Sequence, residues 1–230
     1  MDLEKLQELE VRIGVRFKNH DLLLQALTHR SYINENTHWH LDHNERLEFL
    51  GDAVLELVVT EYLYNTYPNP EGDLTNWRAA LVNSVMLAKI SSKMNLNNYV
   101  LLSRGEARDT GRARQYILAN AIEAVIGAVY LDQGYQATDV FIKKFVLTEL
   151  KEVLESGSYK DYKSLFQEKA QDLAGITPTY EVIKEWGPDH AKHFQIGVYL
   201  EKELIGEGVG PSKQDAQQAA AENALKNREW

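Results

Sequence analysis

NERLEFLGDAVL, residues 44–55, sets Glu45, Glu48 and Asp52 into an otherwise apolar stretch at offsets of zero, three and seven. At about 100° per residue those offsets fall within roughly 60° of one another on a helix, so the three acids form one stripe. Leu47, Leu50, Val54 and Leu57 supply a candidate core stripe on the other side. Two readings stand open. The acids face water, as charged helix faces usually do and as Glu56 on the same side suggests, or they are built to hold something. The helix is expected to run from Asn44 to about Tyr67 and to stop before Pro68 and Pro70.

A second helix, expected over Gln115–Leu131, bears on that choice. It contains YILANAIEAVIGAVYL, apolar on nearly every side, which predicts a buried central helix. Glu123 is the one charged residue in that run, and Asn120 sits one turn earlier on the same face. A buried carboxylate without a partner is costly, so Glu123 is expected either to bond a neighbouring helix, to open at a surface, or to join a site. If the Glu48/Asp52 face meets the Asn120/Glu123 face, four oxygen-bearing side chains converge without His or Cys. Hard oxygen donors of that kind select Mg²⁺ or Mn²⁺ over zinc, the ions of phosphate-ester chemistry.

The 230 residues suffice for one large or two smaller domains. Cysteine is missing, which excludes disulfides and thiolate metal sites and suits a reducing cytoplasm. The N-terminus, MDLEKLQELEVRIG, is too charged for a signal peptide, and the most apolar run, Tyr116–Leu131, is too short and too interrupted for a membrane span. A net charge of −9 argues against general nucleic-acid binding, because neutralising phosphates takes Lys and Arg, although a local basic face remains compatible with it.

Helical patterns fill residues 1–154. Leu3, Leu6, Leu9 and Ile13 recur at helical spacing, a helix is expected over Asp21–Ser31 with Asp21 as its cap, and others over Gly72–Met94, capped by Asp73 or Thr75, and Thr138–Leu154. ESGSYKD, residues 155–161, reads as a linker. Residues 162–230 change pattern. A helix at Tyr162–Leu173 precedes the strand-like runs TYEVIKEW, HFQIGVYL and ELIGEGVG, and Ser212 caps a final Ala-rich helix. The expected fold is an all-α domain followed by a small α+β module of order α-β-β-β-α.

At this point the chain resembles a known family. NERLEFLGDAVL is similar to the signature of the ribonuclease III family, and ILANAIEAVIGAVYLD to its second metal-binding segment. ALTHRSY and EGDLTNWRAALV resemble its flanking helices, and the tail resembles its double-stranded-RNA-binding domain, in the family's order from about residue 5 to 228. The resemblance implies a helical endonuclease domain that forms a homodimer with two sites along one valley, each cutting one strand of an RNA duplex. It implies metal ligation by Glu48, Asp52, Asn120 and Glu123, with Mg²⁺ as the cofactor and Mn²⁺ as a substitute. Glu45 matches a signature acid at the site's edge, so the implied catalytic acids are Asp52, Glu123, Glu48 and Glu45, and Glu71 matches an auxiliary acid along the valley. The expected products carry 5′-phosphates and 3′-hydroxyls, and the expected role is processing and decay of ribosomal and messenger RNA in the cytoplasm, away from membranes.

The family usually carries Asp where this chain has Asn120. Asn keeps a carbonyl donor but removes a charge, which predicts weaker Mg²⁺ binding. A tolerated variant, a weakened enzyme and a non-cutting duplex-RNA binder all fit that change, and the three intact ligands favour an active or slowed enzyme. In the tail, the resemblance places 2′-hydroxyl contacts on Gln167 and Glu168, a minor-groove loop on GPDH (187–190) with His190, and phosphate contacts on Ser212 and Lys213. Nine Lys/Arg against twelve Asp/Glu from Lys160 to Trp230 predict weak, salt-sensitive binding and leave room for a protein-binding adaptor. Lys213 stands where the family often has two or three basic residues. His38, His40 and His43 in THWHLDHN are unevenly spaced and read as solvated or ligand-contacting rather than as a zinc site, with Trp39 a candidate stacking residue. His29 reads as structural.

Overall fold

A computed structural model describes residues 3–108, 110–157, 159–188 and 191–230. The chain divides into two compact units, the first ending at Tyr159 and the second spanning Lys160–Trp230.

The first unit is helical: α1 Leu3–Ile13, α2 His20–Ala26, α3 Arg30–Glu35, α4 Glu45–Thr66, α5 Glu71–Val82, α6 Ser84–Lys93, α7 Arg112–Gln133, α8 Tyr135–Phe145 and α9 Leu150–Ser156. Helix α7 is the hub. Ile117–Ala119, Ala121, Ile122 and Ala124–Val129 are buried on it, and α4, α6, α2 and α8 pack around it. Its all-round apolarity thus has the expected cause. The core stripe of α4 differs from expectation: Leu47 and Val54 are buried together with Leu55, Val58, Val59 and Leu63, whereas Leu57 is 56% exposed.

Several boundaries are set by Asn. Asn19, not Asp21, caps α2 by accepting from the Asp21 N–H, and α2 ends before Ser31, where His29 caps a separate α3. Asn83 divides the expected Gly72–Met94 helix: its extended backbone ends α5 and its side chain accepts from Met86 N–H to start α6. Pro70 precedes α5, so neither Asp73 nor Thr75 caps it. A side-chain acceptor that satisfies a first-turn N–H is enough to restart a helix after one extended residue. The expected Thr138–Leu154 helix is likewise two, α8 and α9, joined by a 3₁₀ turn at Leu147–Glu149. Helix α9 reaches Ser156, and Tyr159 packs edge-on against Trp77 of α5, so part of the 155–161 segment packs with the first unit.

The second unit has helix α10 (Tyr162–Ala174), strands β1 (Thr179–Trp186), β2 (His193–Leu200) and β3 (Glu203–Gly210), and helix α11 (Lys213–Arg228). The strands form one antiparallel sheet in the order β1-β2-β3. Phe166 and Ala170 of α10 and Ala220, Ala221, Ala224 and Leu225 of α11 pack on Val198, Leu200 and Ile205 of the sheet. The fold is that expected: an all-α domain, then an α-β-β-β-α module. Among the described residues, no helix is long and apolar enough to cross a membrane.

Candidate active site

Two glycines decide how closely α4 and α7 approach. A Cβ on Gly51 would run into the main-chain carbonyl of Glu123, and one on Gly127 into that of Leu47. Each glycine therefore lets one helix rest on the other's backbone, closer than side chains would allow. This contact places the acid stripe of α4 against Glu123. Sequence reasoning passed over both glycines, because Gly reads as a weak helix former and their partnership spans distant segments.

Four side chains interact across this junction. Asn120 donates a side-chain hydrogen bond to the Glu48 carboxylate, and Glu48 and Asp52 both act electrostatically on Glu123. Burial pushes the Glu123 carboxyl up to about 8, with Asp52 and then Glu48 adding to the effect. Burial, the Glu45 charge and the Asp52 charge also raise Glu48, against the opposing bond from Asn120. The neighbouring acids thus disfavour ionisation of Glu123 and of Glu48, as crowded like charges do. Of the three openings for Glu123, the structure shows it half-buried at the edge of the apolar hub and facing the other acids. The donor set suits a hard divalent cation: three carboxylates whose charges it would offset and one amide oxygen. Among the described residues, no three His, Asp or Glu side chains are grouped so as to hold a metal ion as they stand.

The other sequence candidates fall around this junction or away from it. Glu45 is half-exposed and faces Arg30 at 3.4 Å and His43 at 3.8 Å. Glu56 is exposed, as a solvated residue should be. Glu71 opens α5, accepts from the Thr75 hydroxyl at 2.8 Å, and lines a separate cavity of about 590 Å³ with Tyr64, Tyr67 and Arg78. It is not brought to the junction. Glu106, which sequence reasoning missed, acts with Glu45 on His29. Its signal was an acid within the arginine-rich stretch SRGEAR, residues 103–108.

His29 is structural. Its ring nitrogen accepts from Ser31 N–H, Ser31 Oγ in turn accepts from Ser103 N–H, and burial lowers its pKa against the pull of Glu106 and Glu45. The loop histidines do not converge: His40 faces Asp21, His43 faces Glu45, and His38 is exposed. Trp39 packs edge-on against Tyr32, with ring centres 5.2 Å apart, which engages it inside the protein.

In the second unit Gln167 and Glu168 are exposed on α10. Ser212 caps α11 by accepting from the Asp215 N–H at 3.1 Å, while its hydroxyl donates to the Asp215 carboxylate at 2.6 Å. The acid therefore sits at the positive end of the helix, where it competes with any incoming anion. Lys213 is exposed, its ammonium 5.8 Å from the centre of the Phe194 ring. Asp189 and His190 lie outside the described residues.

Sequence models of two families match the chain: "Ribonuclease-III-like" over residues 19–150 and "Double-stranded RNA binding motif" over residues 162–228. Ribonuclease 3 of Enterococcus faecalis is 44% identical over 231 residues, covering 99% of this chain and 99% of its own. Ribonuclease 3 of Borreliella afzelii is 44% identical over 98% of this chain and 92% of its own. Among solved structures, a nuclease domain of ribonuclease III from Campylobacter jejuni, described as flexible in a region involved in dimer formation, superposes with a TM-score of 0.57. It is 40% identical and covers 62% of this chain and 96% of its own. By its full-length relatives and both of its domains, the chain belongs to the ribonuclease III family of enzymes.

Proposed function

We propose that the chain is an Mg²⁺-dependent endoribonuclease that hydrolyses double-stranded RNA to 5′-phosphate and 3′-hydroxyl ends, acting in the processing and decay of ribosomal and messenger RNA in the cytoplasm. The observation that carries this reading is the meeting of Glu48 and Asp52 with Asn120 and Glu123 across the glycine contact of α4 and α7. Those four residues would hold Mg²⁺, or Mn²⁺ in its place, and the ion would supply water activation and charge neutralisation at the phosphate. The apolar wall of α7 keeps bulk water from one side of the acids, which strengthens their interaction with a cation. The Asn120 amide holds the Glu48 carboxylate in place. Glu45, at the rim with Arg30 and His43, and Glu71, in its own cavity, would line the path of the RNA backbone.

The working unit in this reading is a homodimer. Phe49, 82% exposed one residue after Glu48, stands beside a cavity of about 650 Å³ lined by Leu22, Leu47, Leu50 and Leu131. An exposed Phe next to an apolar recess is self-complementary across a two-fold axis. The tail would contact duplex RNA through Gln167, Glu168, Ser212 and Lys213, reading shape rather than sequence.

Asn120 favours a second reading, a duplex-RNA binder that cuts slowly or not at all. Cleavage of long duplex RNA by this chain and by Asn120→Asp, in Mg²⁺ and in chelator, separates the two. Mg²⁺-dependent products from the unaltered chain support the enzyme, whereas products from Asn120→Asp alone establish a disabled site.

A further inference from the structure

Helices α10 and α11 are joined at their N-terminal ends by a clip of side chains. Asp161 caps α10, accepting from Ser164 N–H at 3.1 Å and from the Ser164 hydroxyl at 2.7 Å. Gln218, in the second turn of α11, uses both ends of its amide: its NH₂ donates to Asp161 at 2.7 Å, and its carbonyl accepts from Lys163 N–H at 3.1 Å. The neighbouring Gln217 accepts from the Lys163 ammonium at 2.8 Å, and that ammonium lies 5.2 Å from the centre of the Tyr180 ring on β1. One α11 side chain thus satisfies a first-turn N–H of another helix and that helix's cap residue together.

The clip stands between the two sets of residues assigned to RNA. Gln167 and Glu168 follow Lys163 by four and five positions on α10, about 6–7.5 Å along the axis, and Gln218 follows Lys213 by a similar rise on α11. A domain of this kind touches minor-groove 2′-hydroxyls with one helix and major-groove phosphates with the start of the other. The spacing of those features differs between A-form and B-form duplexes. A slip of either helix would change the match to groove geometry while leaving the number of cations unchanged.

We propose that Gln218, through Asp161 and Lys163, is a positioning residue that sets the α10–α11 spacing and thereby the preference of the tail for RNA over DNA duplexes. The proposal rests on the reading that this unit binds duplex RNA. Its test compares full-length chain, Gln218→Glu, and the exchange Asp161→Asn with Gln218→Glu, by affinity for RNA and DNA duplexes of the same sequence across a salt series in chelator. The single change sets two carboxylates against each other. In the exchange the introduced amide can donate to the introduced carboxylate, which still accepts from Lys163 N–H, at the cost of the Ser164 N–H bond that shares the same Asp161 oxygen. With one hydrogen bond lost and two carboxylates opposed in its place, the single change should lower the RNA-over-DNA affinity ratio roughly tenfold. The salt slope should stay unchanged, because phosphate contacts are retained. The exchange should restore most of the ratio. An unaltered ratio in Gln218→Glu overturns the proposal, as does a fall in ratio and salt slope together that the exchange does not repair. Failure of the unaltered chain to bind RNA duplex would instead overturn the RNA-binding reading, and this inference with it.

Discussion

The two units hold their working helices together by opposite means. In the first, α4 and α7 touch backbone to backbone at Gly51 and Gly127. In the second, α10 and α11 are tied through amide and carboxylate side chains, with Gln218 bridging Asp161 and Lys163. The difference follows from what each pair must present. Acids crowded onto a buried carboxyl such as Glu123 need an unyielding support, since repulsion would spread any contact able to give. The two exposed residue sets proposed to contact a duplex would need only a fixed spacing, which a few hydrogen bonds can set.

Breaking the steric contact should have the largest effect. Gly127→Val puts side-chain atoms where the Leu47 carbonyl lies, and overpacking of that kind costs about 1–3 kcal/mol. Denaturant unfolding should report that loss, and cleavage should vanish with it. If activity survived at full rate, the acids would not depend on the helix contact. Phe49→Glu, on the neighbouring face, places charge in the proposed dimer seam. Sedimentation should show monomers where the unaltered chain gives dimers, with little change in secondary structure.

A smaller effect concerns the acids themselves. With its pKa raised from 4.5 to about 8, Glu123 binds its proton more tightly in the folded state than in the unfolded one. Its contribution to stability is therefore present below about 4.5 and is lost as pH rises through about 8. In chelator, thermal unfolding should show the unaltered chain losing stability across that window relative to Glu123→Gln. A constant difference between the two proteins would mean that the crowding is relieved in solution. The smallest effect belongs to the tail: Lys213→Ala should reduce the salt slope of duplex-RNA binding by about 1, whereas Asp215→Lys should raise affinity. Equal slopes for all three proteins would remove the start of α11 from the interface.

What could be read in the sequence was whatever followed from local pattern. Glu123 stood out as the lone charge of the apolar run Tyr116–Leu131, the acids of α4 declared a shared face, and the alternation of HFQIGVYL located β2. Leu57 followed the same periodicity and is nevertheless exposed, because the buried face of α4 turns toward Leu55, Val58 and Val59. The breaks at Asn19 and Asn83 escaped because they rest on side-chain hydrogen bonds of Asn rather than on Pro or Gly. Gly51 with Gly127, and Asp161 with Gln218, are partnerships across distant segments, which a one-dimensional pattern does not record.

The most direct test is single-turnover cleavage of a long RNA duplex by the unaltered chain, Asp52→Asn and Glu123→Gln, with Mg²⁺ or with chelator. The unaltered chain should cut only with Mg²⁺, leaving 5′-phosphates, and each variant should lose about a hundredfold or more in rate. Cleavage that persists in chelator, or that is unaffected by Glu123→Gln, would contradict the assignment of the α4–α7 junction as the metal-dependent active site.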